Sequence, residues 1–448
     1  MSLLQNESER ISSASISRRA TVFHQYAVFA ERQYNSVVRS PDFLRWKVYV
    51  DRKRTEIKNW EDRISKLSRG SPEFNNYTKE KTTAVKLLQE DSRRLENFER
   101  QRDTFLEQAI VMYSRALSTA DDFDEDSPIR LCSLWFANFD SATSGWQALV
   151  SLSLDRIPSR KFVFLAHQLS ARLSKSKGTS SQHISLQQNT LQQIVLRMCQ
   201  EHPFHSLFPV YCLKTYQPLP TASARRQSAR HEPLSSQAQA ERAAAAHDIF
   251  ERIRHDPACG KRLSAVEMVC DAAVEAARYR INETHNGQLP QHLKILALED
   301  VKVPVITTHT PIDLTCGYEN CLWIHRYDRA FETAGGMNLP KIMRCVDSNG
   351  QEHKQLVSAF HVCFKLDLKL EQKNQFKGQG EDDLRQDAVM EQVFDLVNVV
   401  LRRDKETIKR NLRIRGYKVI PLASKAGVLE FVVNTKPLQS WLIKAHGK

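Results

Sequence analysis

Near residue 290 the hydrophobic period of this 448-residue chain changes, and the change divides what the two parts can fold into. Before it, apolar residues recur every three to four positions. Val22, Phe23, Tyr26, Phe29, Ala30 and Val37 follow that spacing across Thr21 to Val38, and Phe43, Trp46, Val50, Ile57 and Trp60 continue it after Pro41. Gly70-Ser71-Pro72 breaks the pattern, and Tyr77 to Leu117 resumes it with Leu87, Leu88, Leu95, Phe98, Phe105, Ala109 and Met112. Two long amphipathic helices joined by a short break predict an antiparallel pair. Shorter helical segments follow at Pro128 to Asn138, Lys161 to Leu173, Ile184 to Gln200 and Ala265 to Tyr279. After NETHNGQLPQ the texture becomes β-branched with period two, in VKVPVITTHTPIDL, in MRCVDSNGQE with its Asn349-Gly350 hairpin signal, and in GYKVIPLASKAGVLEFVV.

The fold class expected is therefore α+β. A helical-hairpin solenoid occupies residues 1–290, and a small antiparallel sheet with one packed helix, Asp383 to Arg403, occupies 291–448. Between about 217 and 246 the composition turns to Ala, Ser, Gln and Arg with few apolar anchors, which reads as a mobile loop leading into a helix. On the helix after residue 383, Met390, Phe394, Val397 and Leu401 line one apolar stripe, with Val389, Val393, Leu396 and Val400 beside it. A face that broad is expected to lie buried under the sheet. Asp383, Asp387, Glu391 and Asp395 form a third line, either solvated or with Asp387 turned toward a lysine.

Charge and cysteines narrow the function classes. The formal net charge of +13 permits an acidic partner but is dispersed, apart from RRDKETIKRNLRIRGYK, which lacks interleaved aromatics until Tyr417 and reads as a solvated face. Nine cysteines without paired spacing fit reduced thiols. Cys316, Cys321 and His325 supply only one pair of metal-type spacing, so no metal site is assigned. The start MSLLQNESERISS has neither a signal-peptide core nor transit-peptide character, and no apolar run reaches bilayer length. No strand-turn-helix nucleophile motif appears.

One stretch, FKGQGEDDLRQDAVMEQVF, combines a lysine, an acidic glycine-containing turn and a helix start. Together with TAGGMNLPKI upstream and GYKVIPLASKAGVLEFVVNT downstream, it resembles the kinase N-lobe of the phosphatidylinositol 3-kinase-related protein kinases, closest to their ATM branch. FAERQYNSV, RLCSLWFAN, IPSRKFVFLAHQLSARL and HPFHSLFPV resemble, in order, the last portion of that branch's FAT solenoid. The resemblance implies ATP as cofactor, with Lys377 on its phosphates and Asp387 and Tyr417 completing the polar floor. It implies that Glu430, Phe431 and Val432 form the interlobe hinge at the adenine edge, and that Gly335, Gly336, Leu339 and Pro340 belong to the loop over the phosphates.

Two departures stand out. The turn from Lys377 to Asp382 is longer than in most relatives, and in the family the strand ending QL runs directly into the lysine, whereas VSAFHVCFKLDLKLEQKNQ intervenes here. Phe360 to Leu370 alternate as a strand would, yet removing 357–375 restores QLFKG; the segment is read as an insertion, a retained intron rather than an extra hairpin. Beyond Val433 there is no catalytic-loop aspartate and no metal-binding aspartate, so no catalytic residue is assigned, magnesium is expected only with a C-lobe, and the chain is expected to be a kinase portion inactive alone. The resemblance further implies protein substrates phosphorylated at Ser/Thr-Gln, nuclear DNA-damage, telomere and chromatin signalling, a DNA-end sensor complex and a homodimer, without membrane contact. A lipid kinase, or a helical scaffold with a degenerate nucleotide lobe, are the other readings.

Overall fold

The computed structural model describes residues 2–139, 144–175, 182–215, 236–281, 286–334, 340–359, 384–423, 425–435 and 442, and every structural statement below concerns those residues. The chain forms two compact units, Met1–Pro158 and Ser159–Lys448. The loop expected at 217–246 and the alternating stretch from Phe360 lie largely or wholly outside the described residues.

The first unit is all helix: α1 Ser2–Val38, α2 Pro41–Ile64, α3 Pro72–Thr119, α4 Ser127–Ala137 and α5 Ser144–Asp155. Proline sits in the first turn of α2, α3 and α4, where its missing N–H costs nothing and its fixed φ suits the helix. Ser71 caps α3 by accepting a bond from the Phe74 amide at 3.1 Å. Both α1 and α2 pack along α3. The contact of α2 with α3 is built on buried Phe43, Val50 and Leu95, flanked by Trp46, Leu88 and Phe98. Glu31 of α1 ties three helices together by accepting from the Tyr113 hydroxyl and, at 3.0 Å, from Arg130. The break expected around Gly70 is present, and a second one at Arg39–Ser40 divides what the sequence pattern ran together.

The second unit begins with a 3-10 segment, Ser159–Leu165, and the short helix α6, Ala166–Ser170. Then follow α7 Gln182–Glu201, α8 Pro203–Lys214, α9 Ser236–Arg254 and α10 Gly260–Arg278. A single seven-stranded antiparallel sheet comes next: β1 Gly287–Gln288, β2 Val301–Pro304, β3 Trp323–Thr333, β4 Lys341–Asp347, β5 Glu352–Ala359, β6 Val419–Ala423 and β7 Ala426–Glu430. Its order is β1-β3-β4-β5-β7-β6, with β2 beside β3. Helix α11, Leu384–Leu401, and the single turn α12, Lys405–Lys409, lie between β5 and β6 in the chain.

The β4–β5 hairpin turns at Asn349-Gly350 as the sequence predicts, with Gly350 at φ +80°. Asp347, fully buried, organises that turn by accepting from the Asn349 and Gln351 amides at 2.9 and 3.0 Å and from His353 Nε2 at 2.7 Å. Burial pushes its carboxyl up, but these bonds outweigh it and hold the group below the usual carboxylate range. Within the sheet, Gln355 joins the Tyr327 hydroxyl and Thr307 Oγ1, both at 3.0 Å.

Where the sequence pattern put α11 under the sheet, the structure differs. Only Leu384 and Ala388 of that helix are buried, whereas Val389, Met390, Val393, Val397 and Val400 are exposed. The helix that covers β2, β5 and β7 is α10, through a buried face including Leu263, Val266, Cys270 and Ala273. Helix α11 meets the sheet at its β6–β7 end, through Leu384 and Ala388.

Candidate nucleotide site

The start of α11 is seated by one side chain and one missing side chain. Leu384 is 3% exposed and packs with Ala388, Val419 and Leu429. A Cβ on Gly427 would come within 2.7 Å of Leu384 Cδ1, so the glycine lets the helix approach β7. Further along, Glu391 accepts a bond from the Tyr417 amide at 2.9 Å, an approach that Gly416 permits, since a Cβ there would lie 2.9 Å from the same carboxylate oxygen. Asn398 closes the third tie: its Nδ2 donates to the Ile414 carbonyl at 2.9 Å and its Oδ1 accepts from the Ile414 amide at 2.7 Å. The 414–417 segment leading into β6 is thus strapped to α11 at two points about two turns apart.

These ties place Asp387 and Tyr417 in one electrostatic neighbourhood. Asp387 is exposed in the first turn of α11, where the helix dipole favours a carboxylate. Burial, then Glu391, then Asp387 push the Tyr417 phenol above its ordinary value. The line Asp387, Glu391, Asp395 is therefore only partly a solvated face, because Glu391 is half-buried and engaged with backbone. Burial raises the Glu391 carboxyl, the Tyr417 amide opposes this, and neighbouring Asp395 and Glu430 add to the rise.

At the end of β7 the backbone has few groups left to offer. The Glu430 amide donates to the Lys418 carbonyl at 2.8 Å and the Phe431 amide to the Lys354 carbonyl at 3.1 Å. The Glu430 carboxylate accepts from Arg415 at 2.9 Å and from the Lys418 amide at 3.1 Å, so this side chain braces residues 415–418. Lys354 Nζ lies 6.0 Å from the centre of the Phe431 ring. Val432 contributes its carbonyl to Thr435 Oγ1 at 2.9 Å. Pro340 closes the base of the β3–β4 connection, its carbonyl accepting from the Ala334 amide at 2.8 Å.

Lys377, Gly335, Gly336 and Leu339 lie outside the described residues. The strand expected to deliver the lysine is β5, and its last three residues, Val357, Ser358 and Ala359, come from the 357–375 segment. They pair with Val428, Gly427 and Ala426 of β7. Ser358 is 3% exposed, and its hydroxyl has no hydrogen-bond partner among the described residues.

Beside Tyr417 opens a cleft of about 520 Å³ that sequence reasoning missed, lined by His167 and His205 from the helices and by Glu391, Asp395, Tyr417 and Lys418. Lys418 keeps contact with solvent in the cleft while protein atoms surround it, and that enclosure lowers its ammonium against the pull of Asp395 and Glu430. Burial, reinforced by Lys418, brings His167 and His205 down to about 4, so both imidazoles are neutral at pH 7. No local sequence signal marks either histidine for this cleft, because α6 and α8 are brought to it by tertiary packing alone. The described residues supply carboxylates, neutral imidazoles and backbone edges, a set able to orient a polar ligand.

Comparison with known proteins adds what this geometry alone lacks. A sequence profile described as phosphatidylinositol 3- and 4-kinase matches residues 373–448. The serine/threonine-protein kinase TEL1 of Cryptococcus neoformans var. neoformans serotype D (strain B-3501A) is 32% identical over 441 residues, covering 98% of this chain and 13% of that protein. The serine-protein kinase ATM of Sus scrofa is 31% identical over 439 residues, covering 94% of this chain and 13% of that protein. Among solved structures, the FAT and kinase domain of CtTel1 superposes with a TM-score of 0.72 at 25% identity, covering 95% of this chain and 26% of that one. The complete CtTel1 dimer with C2 symmetry gives 0.71 at 25% identity, covering 95% and 14%. The chain therefore spans about an eighth of the curated relatives it matches, and over that span it is similar to the phosphatidylinositol 3-kinase-related protein kinases of the ATM branch.

Proposed function

We propose that this chain is the end of the FAT solenoid and the nucleotide-binding lobe of a larger serine/threonine protein kinase, one that uses ATP to phosphorylate Ser/Thr-Gln sites in nuclear DNA-damage, telomere and chromatin signalling. Residues 1–290 are the solenoid portion and 291–448 the lobe up to its hinge. The observation that carries the reading is the strapping of α11 to the β6 lead-in, which puts Asp387 beside Tyr417 at the end of the sheet where β7 runs into Glu430–Val432.

In this reading Lys377 neutralises phosphate charge and Asp387 steadies it, since phosphoryl transfer is catalysed by positioning and charge. With the Glu430 and Phe431 amides committed to the sheet, the adenine edge falls to the Glu430 carbonyl and the Val432 amide, and Phe431 stacks nearby. Gly335, Gly336, Leu339 and Pro340 cover the phosphates. Magnesium and the catalytic base are assigned to a C-lobe of that larger kinase. A DNA-end sensor complex and a second copy of the kinase are the partners proposed; the solved relative titled as a C2 dimer supports the latter. Among the described residues no helix is long and apolar enough to cross a membrane.

The test is made in the larger kinase. Asp387→Asn and Lys377→Arg are each expected to reduce phosphorylation of a Ser-Gln peptide by at least about tenfold while the protein stays folded; activity within twofold of the parent for both overturns the assignment. Segment 357–375 is proposed to be a retained intron, which predicts transcripts lacking its codons. Peptides from 357–375 in a digest of the native protein would refute that.

A further inference from the structure

The junction of α7 and α8 holds a group of side chains to which the kinase reading gives no task. Glu201 ends α7, His202 precedes α8, and Cys316 comes from the loop before β3. Their ligand atoms, a carboxylate oxygen, an imidazole nitrogen and a thiol sulfur, all lie within 4.8 Å of one another. That mixture of donors is the one a borderline-soft divalent ion such as zinc takes, and a hard ion such as calcium or magnesium does not.

Each donor is held from behind. The Tyr318 hydroxyl lies 2.8 Å from His202 Nδ1, a bond that orients the ring. His202 is 2% exposed and Tyr318 1% exposed, which fixes the ring plane. Ser159 donates its hydroxyl proton to Glu201. Cys316 sits at φ +59°, and Arg262 holds its turn by donating to the Cys316 and Gly317 carbonyls at 2.9 and 3.1 Å. Asp313 and Arg160 flank the pair with opposite charges. One carboxylate and one thiolate would balance a divalent ion's charge.

We propose that Glu201, His202 and Cys316 form a zinc(II) site that ties the loop before β3 to the α7–α8 junction. His325, which shares the loop's sequence signal with Cys316 and Cys321, is not among the grouped donors and pairs instead with Asp300 at 2.7 Å. The sequence offered no sign of the true grouping, since two of its donors lie on helices far upstream.

The experiment uses the whole chain, stripped of metal and dialysed against zinc, with cobalt(II) as the spectroscopic substitute. Wild type is expected to hold one equivalent of zinc and, with cobalt, to show a thiolate-to-metal charge-transfer band. Cys316→Ser should abolish the band, Glu201→Gln should weaken zinc at least about tenfold, and Cys321→Ser should change neither. Circular dichroism checks that each variant is folded; if Cys316→Ser is not, the Glu201→Gln and Cys321→Ser arms decide. Absence of stoichiometric zinc in wild type overturns the proposal, as does binding that survives both the Cys316 and Glu201 substitutions or is lost with Cys321→Ser.

Discussion

Replacing Gly427 by alanine tests how the sheet and α11 are fitted together. The new Cβ would stand 2.5 Å from the Ile420 carbonyl oxygen, 2.7 Å from Leu384 Cδ1 and 3.2 Å from Pro421 Cα. A side-chain methyl can swing away, but Leu384 is only 3% exposed and closed in by Ala388 and Val419. The Ile420 carbonyl cannot swing, because it belongs to the β6 backbone paired with β7. Overpacking of a close-packed site costs about 1–3 kcal/mol, and here a backbone clash and a side-chain clash coincide, so a loss of about 3 kcal/mol is expected. Urea unfolding followed by fluorescence reads it as a lowered midpoint at unchanged slope. Leu384→Ala in the same molecule should relieve the side-chain part alone, giving a coupling of about 1 kcal/mol in a double-mutant cycle. A Gly427→Ala protein within about 0.5 kcal/mol of wild type would refute the packing argument.

Gly416→Ala should be milder, about 1 kcal/mol, because the only close atom is a Glu391 carboxylate oxygen that can turn away at the expense of the Tyr417 amide bond; equal losses for the two alanines in the same unfolding assay would contradict this. Asn398→Ala removes both bonds to Ile414 and should lower stability by about 1–3 kcal/mol, with amide exchange at 412–417 accelerated; unchanged exchange there would refute the strap. Lys341 is 3% exposed, and burial lowers its ammonium from 10.5 to about 8. Between about pH 8 and 10.5 the unfolded chain keeps a proton that the folded one has released, so stability rises with pH in that window by about 3 kcal/mol. Lys341→Met should abolish that rise; parallel stability-pH curves for the two proteins would show the site to be differently solvated.

The hydrophobic period carried most of the fold. The 3.6-residue spacing marks α1 to α4, α7 and α10, whereas α5 and α8 were not marked by it and the helix expected over Lys161 to Leu173 is a 3-10 segment followed by the short α6; the Asn349-Gly350 hairpin and the β6–β7 pair follow from turn chemistry and alternation, all of them local signals. What the period could not decide is which helix covers the sheet. The stripes on α10 and α11 are alike in character, and only tertiary packing assigns the sheet to α10 and leaves Val393 and Val400 exposed. At the candidate site, Asp387 and Tyr417 were singled out by resemblance; in the structure Asp387 is one of the charges, after Glu391, that raise the Tyr417 phenol. Glu391 was visible as one of a line of carboxylates, but its bond to the Tyr417 amide depends on a glycine 25 residues further on, at 416, whose purpose is invisible until both elements are in place. The His167–His205–Lys418 cleft and the Glu201–His202–Cys316 group join segments far apart in the chain, which no local pattern encodes.

Gln392 of α11 donates to the Phe164 carbonyl at 3.2 Å and accepts from Gln168, two residues of the segment that opens the second unit. One amide side chain thus clamps the helix bearing Asp387 to the 3-10 turn and α6. A displacement of Phe164 or Gln168 is therefore felt on the backbone that carries Asp387, and Gln392→Ala would loosen that link.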